Sequence, residues 1–173
     1  LEYVTPFSLD QSTTRQVFQV ILSYRGEPFS LIEHLNASER EKIKTNSKSI
    51  ENTLKGMMAQ DRGDLKEAIS FFLKALEDNP NKGQIKQLLA LTYFGQSQIF
   101  YSQKNWPQAR EALLKVIELN PSFPQAHINL GSVYYQEGSI LEAASEWATA
   151  KEFDPENPAL QQNLRLLENY FGQ

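Results

Sequence analysis

Apolar positions along this chain recur mostly every three or four residues, the spacing of one helix face. Val17, Val20, Ile21 and Tyr24 follow it, Phe18 and Leu22 widen the face, and Ser12 or Thr13 can cap its start. A β-hairpin turning at residues 25–28 is the competing reading, because Val, Ile and Phe also suit strands. A long helix is predicted over residues 38–60. Ser38 and Glu41 form a capping box at its start. Residues 39–48 are polar apart from Ile43, so that half should face water; Ile50, Leu54, Met57 and Met58 follow. Near the end, Leu160, Leu164, Leu167 and Phe171 make one face of a terminal helix, with Asn157 as cap and Pro158 at its first position.

A longer period overlies the helical one. Gly131, Tyr134, Gly138, Ala143, Trp147, Ala150 and Pro155 fit two short antiparallel helices. Gly131 and Ala143 allow two backbones to approach, Tyr134 and Trp147 fill the space beside them, and Pro155 cannot continue a helix. Counting back from Pro121 meets Val116, Leu113, Ala109 and Ser97; counting back from Pro80 meets Ala75, Phe72, Ala68, Gly63 and Gly56. The pairs Asp64 and Glu67, Asn105 and Gln108, and Ser139 and Glu142 give three cap signatures at one repeat position. The last two prolines stand 34 residues apart. The first two stand 41 apart. The seven extra residues are close to two helical turns and keep the packing face in register. They are placed at the start of a helix around residues 82–89, where Ile85, Leu88 and Leu89 would project and need a cover; residues 12–35 are the expected cover.

This set resembles the tetratricopeptide repeat. The resemblance is specific over residues 49–155, weaker over 158–173, and absent before about residue 37. It implies an all-α fold, a right-handed solenoid of helix-turn-helix units. Residues 1–37 would be a helical N-terminal extension and 38–173 the repeat domain. Its repeats would fall near 49–82, 83–123 and 124–157, with a cap helix at 158–173.

Composition narrows the chemistry. Hydrophobic residues make up 40%, enough for a core. The net charge of −4, with no basic cluster, gives no case for nucleic acid. No cysteine is present, which excludes disulfides and thiolate chemistry. No apolar run approaches the about 20 residues of a membrane span, so no direct membrane insertion is expected. A soluble domain of cytoplasm or periplasm is expected. Leu1 in place of Met points to a processed or excerpted sequence. No phosphate-cradling glycine loop, HExxH or GxSxG motif occurs. His127 reads as a packing residue, since no ligand set surrounds it in sequence, and Glu111, Glu118, Glu142, Glu146 and Glu152 read as mostly solvated. No enzyme activity and no cofactor are expected.

The resemblance also implies a concave groove lined by first-helix positions. On this chain these are Thr53, Met57 and Gln60 in repeat one, Phe94, Gln98 and Tyr101 in repeat two, and Ser132, Tyr135 and Gln136 in repeat three, with Ser102 at the same edge. Ile50, Leu91 and Ile128 read equally well as core. The Lys, Arg and Asn clamp with which relatives hold acidic chaperone tails is missing. The implied function is an adaptor or scaffold that binds a protein or peptide segment through apolar anchors and neutral polar contacts. Two alternatives stay open. The groove is filled by the chain's own N-terminal segment or by a dimer mate in a homo-oligomer, or the chain is a repeat fragment of a larger multidomain or enzyme-accessory protein.

Overall fold

Proline and glycine positions cut the chain into helical hairpins. The computed structural model describes residues 37–79 and 83–172. The expectations for residues 1–36, including the apolar face at 17–24 and its packing on the array, lie outside them. Seven helices and no strand occur among the described residues. They are α1 (Ala37–Asp61), α2 (Leu65–Asp78), α3 (Gly83–Ser102), α4 (Trp106–Leu119), α5 (Pro124–Gln136), α6 (Ile140–Phe153) and α7 (Pro158–Phe171).

The stops are set by the residue before each proline, which is pushed out of the α region. Asn79, Asn120 and Asp154 all sit near φ −150 to −145 and ψ 74 to 87. Each still bonds back through its N–H, to Ala75, Val116 and Ala150. The turn inside each hairpin needs one left-handed residue. Gly63 (φ 80) and Gly138 (φ 82) supply it in the first and third hairpins; Lys104 (φ 56) supplies it in the second. A side chain there costs of order 1–3 kcal/mol.

Two of the three cap signatures close as expected. The Asp64 carboxylate accepts from the Glu67 N–H at 3.1 Å, and the Asn105 carbonyl oxygen from the Gln108 N–H at 3.4 Å. Ser139 differs: it has nearly the same backbone angles but makes no side-chain cap bond. Nothing in the structure explains this difference. The first helix also begins at Ala37, so Ser38 lies inside its first turn rather than ahead of it. Alanine is the best helix former and extends the helix by that residue.

Packing follows one rule in every hairpin. α1 and α2 run antiparallel, with Asn46 bonded to Asn79, Ser49 to the Ala75 carbonyl, and Gly56 against Phe72. A Cβ on Gly56 would meet the Phe72 ring at 2.6 Å. A Cβ on Gly131 would overlap the Trp147 indole, which cannot swing away freely because its N–H donates to the Ile128 carbonyl at 3.0 Å. At the matching place in the second hairpin, Ser97 faces the smaller Leu113, both buried.

Three buried clusters run along the array. The first joins Ala59, Ala68, Phe72 and Ala75 to Ile85 and Leu89; the second joins Ala90, Ala109, Leu113 and Val116 to Ala126, Leu130 and Val133; the third joins Ile128, Ala143, Trp147 and Ala150 to Leu160. Each spans a hairpin and the helix that follows it, so every unit is held by its neighbour. α3 has 20 residues against 13 in α5, and its first turns carry Ile85 and Leu89. These pack on Phe72 and Ala75 of α2, so the array itself covers part of the projecting face. At the other end Leu160 is buried and Leu164 and Leu167 are packed, but Phe171 is 61% exposed. The expected apolar face therefore stops one turn short, because the third cluster ends before Phe171.

His127 is a buried hinge of this packing. Its Nε2–H donates to the Pro121 carbonyl at 2.9 Å, and Nδ1 lies 2.7 Å from Glu146 of α6. Glu146 is thereby drawn in, contrary to its reading as a solvated convex residue; its side chain is 24% exposed.

Two outcomes follow. Gly131→Ala should lower unfolding free energy by about 1–3 kcal/mol, read from the denaturant midpoint, because the indole cannot yield. A midpoint unchanged from the parent chain would show that the backbones do not need that closeness. His127→Ala should cost about 1–3 kcal/mol by stranding the Pro121 carbonyl and Glu146; equal thermal melts for the two chains would show that the bridge holds nothing.

Candidate protein-binding groove

The first helices of the second and third hairpins, α3 and α5, border a cavity that opens to solvent. Its volume is about 330 Å³. Ser97, Gln98, Tyr101 and Ser102 of α3 form one wall, and Asn129 and Ser132 of α5 the other. Leu113 of α4 lies at the floor and is only 1% exposed.

The cavity borders the middle of three seams. Phe72 fills the space beneath Gly56, and Trp147 fills it beneath Gly131. Leu113 has no ring, and Ser97 rather than glycine stands at the matching position; both are buried, so this seam is closed as well. Ser97 matches that smaller partner with a larger residue than glycine.

The lining carries no charged side chain. Its serines spend their hydroxyl hydrogens on their own helices. Ser97 donates to the Phe94 carbonyl at 2.6 Å, Ser102 to Ile99 at 2.7 Å and Ser132 to Ile128 at 2.9 Å. Their oxygens remain as acceptors, and Ser132 already receives the Asn163 amide of α7 at 3.1 Å. The Gln98 and Asn129 amides make no side-chain bond among the described residues, so each can both donate and accept. Tyr101 stands with its ring edge-on to Trp106, centroids 5.1 Å apart, and is 37% exposed. Burial pushes the phenols of Tyr93 and Tyr134, packed nearby in the core, above their ordinary value, so both stay neutral. The site thus has an apolar floor, one accessible aromatic and neutral polar walls. It suits a chain segment with one apolar side chain and free backbone groups.

The nine residues expected to line a groove separate into two sets. Gln98, Tyr101 and Ser132 come together in the cavity. Thr53 is a correction: it is 7% exposed and its hydroxyl donates to the Ser49 carbonyl of its own helix at 2.7 Å, so it offers a partner no surface. Phe94 turns its ring onto Phe123 at 5.1 Å and packs on the second cluster. Tyr135 leans on Trp147 at 5.8 Å and packs on the third. Met57 packs on the first cluster, Gln60 is half-buried on α1, and Gln136 is exposed; none of the three lines the cavity. Of the residues left open, Ile128 is core and Leu91 is 51% exposed. Ser97, Leu113 and Asn129 were not expected there.

Comparison with known proteins agrees with this architecture. Residues 98–138 match a family model described as TPR repeat, and residues 52–82 one described as tetratricopeptide repeat. No curated protein matches the chain. Among solved structures, the C-terminal TPR-containing domain of an FK506-binding protein of Plasmodium falciparum aligns with a TM-score of 0.51 and 17% identity, covering 76% of this chain and 93% of that one. The Arabidopsis OM64 TPR domain aligns at 0.47 and 17% identity, over 73% and 98% of the two chains. The second TPR domain of human RPAP3, solved with an HSP70 peptide, aligns at 0.47 and 15% identity, over 72% and 98%. With two repeats matched, and with a small residue on the first helix set against a larger one on the second in all three hairpins, the chain belongs to the tetratricopeptide-repeat family.

Proposed function

We propose that this chain is a non-enzymatic protein-interaction module that holds a segment of a partner protein against α3 and α5. The observation that carries this is the cavity floored by Leu113 and walled by Gln98, Tyr101 and Ser132. An apolar side chain of the partner enters the cleft between α3 and α5. The Gln98 and Asn129 amides take the partner's backbone N–H and C=O groups, and Tyr101 supplies an amphipathic wall of the kind enriched at interfaces. The neutral lining argues against an acidic chaperone tail as the ligand of the cavity itself.

Tyr101 is the residue to test, because its loss removes contact area without opening the core. Random peptides displayed on phage are selected on the intact chain, and a selected peptide is synthesised and titrated calorimetrically. Tyr101→Ala should weaken its binding at least about tenfold, near 1.4 kcal/mol, with the melting temperature kept within a couple of degrees. Equal affinities for parent and variant would place the binding face elsewhere.

A further inference from the structure

α1 lacks a neighbour that the other first helices have. In the second and third hairpins the first helix packs on the second helix of the hairpin before it. Ile85 and Leu89 of α3 join Phe72 and Ala75 of α2, and Ala126, Leu130 and Val133 of α5 join Leu113 and Val116 of α4. Among the described residues no helix precedes α1. Counted from Gly56 as the α5 residues are from Gly131, the counterparts of Ala126, Leu130 and Val133 on α1 are Glu51, Lys55 and Met58. The three α5 residues are fully buried, whereas Met58 is 60% exposed and Leu54, one turn before it, is 52% exposed.

This face is apolar at one side and polar at the other. Leu54 and Met58 stand one above the other on the helix surface. Glu51 and Lys55 beside them are joined at 2.6 Å, so the two charges offset each other. Lys55 also stands 5.9 Å over the Phe71 ring of α2. An apolar strip with a paired polar rim is the anatomy of a docking surface.

The chain carries a segment that fits it. Residues 1–36 precede α1 in sequence, and among them Val17, Val20, Ile21 and Tyr24 share one face at helical spacing. Leu54 lies 17 residues along α1 from Ala37, a distance of about 26 Å. Residues 25–36 span about 40 Å when extended, so the segment before them reaches Leu54 and Met58 by running back along α1. A tether of this length gives an effective concentration on the order of millimolar, which a second copy of the chain in dilute solution does not match.

We propose that residues 12–24 dock on this strip, with Val17, Val20, Ile21 and Tyr24 covering Leu54 and Met58, in the place of the second helix that α1 lacks. No α1 residue lines the cavity between α3 and α5, so the docked segment leaves it open and the inference stands apart from the groove reading.

The test uses the full chain, which has no cysteine of its own. Leu54→Cys combined with Ile21→Cys is treated at low concentration with a short bismaleimide; Leu114→Cys on α4 combined with Ile21→Cys is the control. The first pair should cross-link within one chain several-fold more than the control. Separately, Met58→Asp and Ile21→Asp should each lower the melting temperature by about 3–6 °C, and the double variant should melt no lower than the weaker single, since both remove one contact. Cross-links that join two chains would assign the strip to a second copy and overturn the proposal. Equal yields for the two pairs would overturn it as well, and so would a Met58→Asp melt that matches the parent or melting shifts that simply add.

Discussion

The structure depends on close approach of the two helices in each hairpin, and that approach is set by a small residue facing a larger one. Gly56 lies against Phe72, Ser97 lies opposite Leu113, and Gly131 lies under Trp147. Where the partner is aromatic, no Cβ fits on the first helix. With the helices close, the alanines Ala68, Ala109 and Ala143 disappear completely from solvent. Each hairpin alone leaves one side of this seam uncovered, and the next helix closes it. The clusters therefore overlap along the chain and do not merge into one central core.

The cleft between α3 and α5 borders the middle seam, where Ser97 and Leu113 are both buried. A partner segment gains most where it covers apolar surface, because an apolar group removed from water contributes roughly 25 cal/mol per Å². The walls of the cleft keep their serine hydrogens on their own helices and present acceptors and amides outward. Specificity at such a wall comes from leaving a mismatched polar group unpaired.

Much of the fold is legible in the sequence because it rests on local chemistry. Pro80, Pro121 and Pro155 fix the stops, Asp64 and Asn105 fix two starts, and the glycines and alanines fix the seam. The less legible parts depend on which way a side chain turns. Thr53, Phe94 and Tyr135 share helical positions with groove residues, yet Thr53 is buried and Phe94 and Tyr135 turn toward a neighbouring helix or loop, and periodicity alone does not separate these cases. Glu146 looks solvated until His127 is placed across from it. Ser139 carries the right residue type at the right place, yet its side chain makes no cap bond. The cleft between α3 and α5 is set by how two separate hairpins stand relative to each other, which periodicity within one helix does not report.

The most direct measurement of this account is a double-mutant cycle at the middle seam, read as unfolding free energy in denaturant. Leu113→Phe should destabilise by about 1–3 kcal/mol, because the Ser97 Cβ obstructs the ring. Adding Ser97→Gly should recover most of that loss, giving a favourable coupling of at least about 1 kcal/mol, since the pair then matches Gly56 and Phe72. Strictly additive effects of the two substitutions would contradict the claim that small-on-large contact sets the helix spacing.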